Sequence, residues 1–282
     1  MIKTQRLRFL FIAVCIAALV AVGVGYREIF SPTVDPTWEK MIQRGTWRIG
    51  IDPSFPPFES LDEDGSVVGF DLALAKQIAI EWGVTVEIVP IGFDSLIDAV
   101  QTQQVDSVVS ALPYDPRLTK DIGYSLPYFD AGIRLAVRFD STLYAKSQEL
   151  VQQEDGKFSE EALFLLLNGR RIGVEWGGLS DMIGRRIQRA GHSPELLSFS
   201  SPENTVDALF ADSTIDGILV DNVTLVQAQA EHPIIGIGPI IESVPYVIAS
   251  SIDATILQEQ INIALTKLKE SGQLEQLSEE WF

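Results

Sequence analysis

At 282 residues the chain exceeds one average domain, and 46% hydrophobic with 21% charged residues is ordinary globular composition, so one large or two smaller domains fit. A formal net charge of −18 makes nucleic acid a poor partner. The one cysteine, Cys15, lies in an apolar N-terminal run, and His192 and His232 stand far apart. This excludes an intramolecular disulfide and offers no His/Cys cluster for a metal.

Lys3, Arg6 and Arg8 precede residues 9–25, which carry no charge. Seventeen residues lie between a signal-peptide core of ~7–15 and a full span of ~20, so the run reads as an export signal or a membrane anchor. Ala21, Gly23 and Gly25 offer only a weak cleavage site, which favours a retained anchor. The basic flank keeps the N-terminus inside, and everything after Tyr26 is expected outside the cytoplasm. Residues 26–36, with Pro32 and Pro36 and no periodicity, read as a tether. A short helix capped by Asp35 then leads to Gly45.

Residues 47–51 alternate Trp47, Ile49 and Ile51 with Arg48 and Gly50, a strand pattern that stops at Asp52-Pro53. The following loop carries Phe55 and Phe58 on a backbone stiffened by Pro53, Pro56 and Pro57, which suits either rings that cover a ligand or a turn that pins two core phenylalanines. From Asp71, a candidate cap, Leu74, Ile78 and Trp82 recur at helical spacing, and Gly83 ends the helix. Strand 84–89, a helix opened by Asp94 and strand-like 105–111 follow. Residues 133–139 read as a strand leaving this first unit, and 140–168 as a polar, partly helical insertion. A second α/β set runs from strand 171–174 through helix 179–190, strand 195–199, a helix opened by Ser201-Pro202, strand 215–220 and helix 222–230 to strand 234–237. Residues 244–250 then return, before a helix with Leu257, Ile261, Leu265 and Leu268 on one face. Strand and helix alternate throughout, which predicts parallel sheets with ligands outside the carboxyl ends of the strands.

Asp52, Phe55, Pro57-Phe58, the acidic turn Asp64-Gly65, Gly69-Phe70-Asp71, Leu126-Pro127-Tyr128, Val220-Asp221 and the closing Glu280-Trp281-Phe282 occur in the order found in one family. Over about residues 41–282 the chain resembles the family 3 extracellular solute-binding proteins, the polar amino acid receptors of ABC importers. The resemblance implies a two-lobe α/β fold of the type II periplasmic-binding-protein kind with two hinge crossings, preceded by the N-terminal segment 1–25 and the tether 26–36. It puts 37–137 and 241–282 in the first lobe and 138–240 in the second. It also implies a monomer that captures a small amino-acid-like or amine ligand for an importer permease, with no cofactor and no metal.

By the same resemblance, Asp221 accepts a ligand ammonium, Phe55 and Phe93 form lid and floor, Asp52 reads the ligand side chain, and Trp176 is a third ring. Asp221 also suits a helix N-cap. The carboxylate side departs from the family pattern. Ser110, Ala111 and Leu112 are followed by Pro113 in place of a hydroxyl residue, and Leu118 takes the usual arginine position with Arg117 one place earlier. Gly177-Gly178-Leu179 loses two further hydroxyls, leaving backbone N–H groups as candidates for holding an anion. Catalysis is not expected. The enzyme alternative is a dehydratase of the cyclohexadienyl type, which needs an acid such as Glu175 or Asp221 facing the pocket, and a sensing module acting through a membrane partner is a further alternative.

Overall fold

The computed structural model describes residues 36–153 and 158–282. The expected signal or anchor over 9–25, Cys15 and the tether up to residue 35 lie outside the described residues. Among the described residues no helix is long and apolar enough to cross a membrane.

The first lobe begins with α1 (Pro36–Arg44), whose Met41 is fully buried, and β1 (Thr46–Ile51), where Trp47, Ile49 and Ile51 are fully buried. A small hairpin of β2 (Ser60–Leu61) and β3 (Val67–Val68) leads to α2 (Phe70–Trp82), then β4 (Thr85–Pro90), a single 3₁₀ turn, α3 (Leu96–Gln101), β5 (Ser107–Val108) and β6 (Ile122–Tyr124). Strands β4, β1 and β5 are parallel. The sheet is completed by β14 (Ala249–Ser251), which lies antiparallel between β5 and β6, so its fourth strand comes from the returning chain. Trp47 and Ile49 enter a core shared with α2, α9 (Thr255–Glu270) and α10 (Gln273–Trp281). Gly50 faces the other way, towards Leu96 and Val105, where a second core lies under α3. A period-2 strand buried on both faces explains why helices flank both sides.

The second lobe repeats the plan with β8 (Ile133–Arg138), α4 (Thr142–Gln153), α5 (Glu160–Leu166), β9 (Arg171–Glu175), α6 (Leu179–Arg189), β10 (Glu195–Phe199), α7 (Pro202–Ala211), β11 (Gly217–Asp221), α8 (Asn222–Gln229) and β12 (Ile234–Glu242). Its order is β10-β9-β11-β8-β12, with the first three parallel and the last two joined antiparallel. The insertion at 140–168 supplies Leu143, Leu163, Phe164 and Leu167 to the core on one face of this sheet.

Between the lobes, β7 (Phe129–Asp130) pairs antiparallel with β13 (Pro245–Tyr246), which brings the two crossings side by side. This relocates the expected boundary. Strand Ile133–Arg138 is hydrogen-bonded to β11 and β12, so it belongs to the second sheet, and the first lobe does not extend to residue 137. Period-2 burial marks a strand whichever sheet it joins, and only the pairing partners assign it.

Two local expectations change as well. Asp71 does not cap α2: Gly69 occupies the N-cap with φ of 138°, and a Cβ there would lie 2.1 Å from the Phe58 carbonyl oxygen. The run 105–111 is paired only at β5, and Ala111 turns the chain with φ of 41°.

Candidate functional site

The carboxyl ends of β1, β5, β9 and β11 face a cleft between the lobes. On the first lobe a cavity of about 280 Å³ is lined by Asp52, Phe55, Glu59, Phe93, Ser110 and Ala111, with Ser54, Pro113 and Tyr246 completing it. A second cavity of about 380 Å³ is bounded by Glu175, Ser180, Glu203, Asp221 and Thr224 of the second lobe and again by Phe55 and Tyr246. These two rings are common to both parts.

Asp52 directly follows β1, and its Oδ2 accepts the Phe93 N–H at 2.7 Å while its own N–H donates to Ser110 Oγ at 3.0 Å. Phe55 stacks on Phe58 with centroids 5.7 Å apart. The two rings of this proline-rich loop part company: Phe58 is fully buried among Phe70, Phe129 and Tyr246, and Phe55 is 41% exposed on the cleft. Phe93 is 46% exposed beside it.

Beneath this wall sits a pair of buried carboxyl groups. Ser110 Oγ donates to Glu59 Oε1 at 2.8 Å, and Asp71 Oδ2 accepts from the Ala111 N–H and from Tyr128 Oη. Glu59 Oε2 and Asp71 Oδ1 are buried with no other hydrogen-bond donor. Burial, then the neighbouring Asp71 charge, pushes the Glu59 carboxyl far up, and burial raises Asp71. Two carboxylates cannot both ionise there, so they share one proton and one charge.

On the opposite wall Asp221 ends β11 and caps α8. Its Oδ1 accepts the Thr224 N–H at 2.8 Å and its Oδ2 the Thr224 hydroxyl at 2.7 Å. Cap and cleft wall are the same side chain. The Tyr246 phenol is held well above its usual range by burial and then by the Asp221 charge.

The remaining candidates do not line either cavity themselves. Leu112 is buried in the core under α3. Arg117 is 87% exposed at its side chain and pairs with its own neighbour Asp115 through Nε and Nη2, at 2.9 and 2.7 Å, holding the Asp115 carboxyl down to about 2. Trp176 is 73% exposed on the surface. Gly177 and Gly178 precede α6, where the Gly177 N–H reaches Asp181 Oδ2 at 3.3 Å and the Gly178 N–H reaches the Glu175 carbonyl at 3.2 Å.

Glu59, Tyr246, Glu203 and Thr224 are not among the residues singled out from the sequence. Tyr246 lies in the second crossing, and nothing near it in the chain marks it as a cleft residue. Glu59 is the readable exception: an acid directly after a core phenylalanine and before an acidic helix start is a signal for a buried pair.

Residues 47–282 match the family described as bacterial extracellular solute-binding proteins, family 3. ABC transporter arginine-binding protein 1 of Escherichia coli (strain K12) is 25% identical over 239 residues, covering 83% of this chain and 89% of the relative. The histidine-binding periplasmic protein of the same strain is 24% identical over 244 residues, covering 83% and 86%. A solved ancestral cationic amino acid solute-binding protein is 26% identical, with a TM-score of 0.62 over 87% of this chain and 99% of its own. With that match over residues 47–282, this chain belongs to the bacterial extracellular solute-binding proteins, family 3.

Proposed function

We propose that the protein captures a small amino-acid-like or amine ligand in the interlobe cleft, outside the cytoplasmic membrane, and delivers it to an ABC importer. One observation carries the reading: Asp221 of the second lobe faces the same cavity as Phe55 and Tyr246 of the first, so a cationic group between the lobes meets a carboxylate and two rings. Asp52, Phe93, Ser110 and Ala111 contribute the first-lobe wall. The relatives named for arginine, histidine and cationic amino acids are consistent with such a ligand. The segment 9–25 exports or anchors the chain, and it works as a monomer that does no chemistry on its ligand.

Asp221→Asn tests this directly. Asn caps a helix as well as Asp, so folding stability should stay nearly unchanged, while ligand binding weakens by about 2–5 kcal/mol because one partner of a buried charge pair is lost. Calorimetric titration with amino acids and amines reads the affinity, and thermal melting reads the fold. Equal affinity in variant and wild type would remove Asp221 from the site. Turnover of prephenate by the purified protein would replace capture by the dehydratase reading, with Glu175 or Asp221 as its acid.

A further inference from the structure

The family cleft must neutralise a ligand's carboxylate as well as its ammonium if the ligand is a zwitterion, and no cationic side chain lines this cleft for that task. Among the described residues lining the two parts of the cleft there is no Lys, Arg or His, whereas Asp52, Glu59, Glu175, Glu203 and Asp221 all line it. Arg117 is turned to solvent in its pair with Asp115. On the first lobe, Ser110 Oγ donates to Glu59, the Ala111 N–H donates to buried Asp71, and Pro113 has no N–H to give.

On the second lobe the obstacle to an anion is mainly the Glu175 charge. The N–H groups of Trp176, Gly177 and Gly178 go to the Phe199 carbonyl at 2.8 Å, Asp181 Oδ2 and the Glu175 carbonyl. The Glu175 carboxylate folds over the start of α6: a Cβ placed on Gly178 would lie 2.2 Å from Glu175 Oε2. The positive end of that helix, which would attract a ligand carboxylate, already faces one from the chain itself.

Resting on the solute-capture reading, we infer that the cleft takes a small cation without a carboxylate, an amine or a guanidine, in preference to the corresponding amino acid. Its positive group meets Asp221, and Asp52 and Glu59 on the first-lobe wall add acidic groups to the same cleft. Phe55 and Tyr246 cover its apolar part. An α-carboxylate would find no cation and would stand against Glu175.

Matched pairs test this on the full wild-type chain at neutral pH: L-arginine against agmatine, L-lysine against cadaverine, and L-histidine against histamine, each titrated calorimetrically. In a pair that binds, the decarboxylated member should bind about ten-fold tighter or more, since like-charge juxtaposition is strongly disfavoured in a closed cleft. Equal or tighter binding of the amino acids overturns the inference and leaves solute capture standing. If no member of any pair binds, and no other amino acid does, capture itself fails and the inference with it. Glu175→Gln, checked for an unchanged melting temperature without ligand, should narrow the preference for the amine. An unchanged ratio in that folded variant overturns the role given to Glu175.

Discussion

Two carboxyl groups beneath the cleft, Glu59 and Asp71, are tolerable in an apolar setting only because one proton serves both. The sign of the consequence follows from linkage. Glu59 is pushed up from 4.5 to about 10, so above pH 4.5 the native protein keeps a proton that the unfolded chain releases. That contribution to stability is complete below about 4.5 and declines as pH rises towards 10. Glu59→Gln imitates the protonated form, with its amide O for Ser110 and its NH₂ for Asp71. Its melting temperature, compared with the wild type, should therefore gain progressively between about pH 5 and pH 8. A difference that does not change with pH would show that the pair holds no shared proton. Gly69 is constrained by geometry instead of charge. At φ of 138°, with the Phe58 carbonyl where a Cβ would stand, Gly69→Ala should cost at least about 1–3 kcal/mol in denaturant titration. Arg117→Ala, in contrast, should leave ligand affinity unchanged, because its guanidinium is spent on Asp115 at the surface. A large loss of affinity would mean that the arginine swings into the cleft on closure.

At the scale of elements, the hinge turns on Asp130. Its Oδ1 accepts the N–H groups of Gly132 and Val244, both at 2.9 Å, and its Oδ2 accepts the Ser243 hydroxyl at 2.6 Å, so one carboxylate ties the outgoing crossing to the returning one. The crossings approach so closely that a Cβ on Gly132 would stand 2.0 Å from the Glu242 carbonyl oxygen. Asp130→Ala removes charge-assisted bonds worth about 1.5–3 kcal/mol each and should lower the melting temperature while changing the rate of ligand release. An unaltered release rate with lowered stability would make Asp130 a structural clasp with no part in opening. Helix ends were more readable than the hinge. Ser201-Pro202 announces α7, and Ser201 Oγ accepts the Asn204 N–H at 3.2 Å. Asp71 misled because an acid in the first turn suits a helix dipole whether or not it caps, and only the fold shows it buried against Ala111 and Tyr128.

For the whole molecule, a net charge of −18 surrounds a cleft whose wall is acidic. A cationic ligand should therefore associate faster at low salt, and raising ionic strength from about 10 mM to about 150 mM should slow association more than dissociation. Stopped-flow measurement with an amine probe would read both rates, and a salt-independent on-rate would show that the surface field does not steer the ligand. The sequence by itself determined the alternation of strand and helix, the return of the chain after the second α/β set, most helix boundaries, and Asp52, Phe55, Phe93, Ser110 and Ala111 as cleft residues. Those properties are written in local periodicity, in capping residues and in the order of short motifs along the chain. Tertiary structure alone decided that Ile133–Arg138 joins the second sheet, that Glu59 faces Asp71, that Tyr246 reaches the cleft and that Arg117 turns away from it. Each depends on what a side chain or strand meets in space, and strand pairing, burial and charge partners across a crossing leave no mark on the neighbouring residues of the chain.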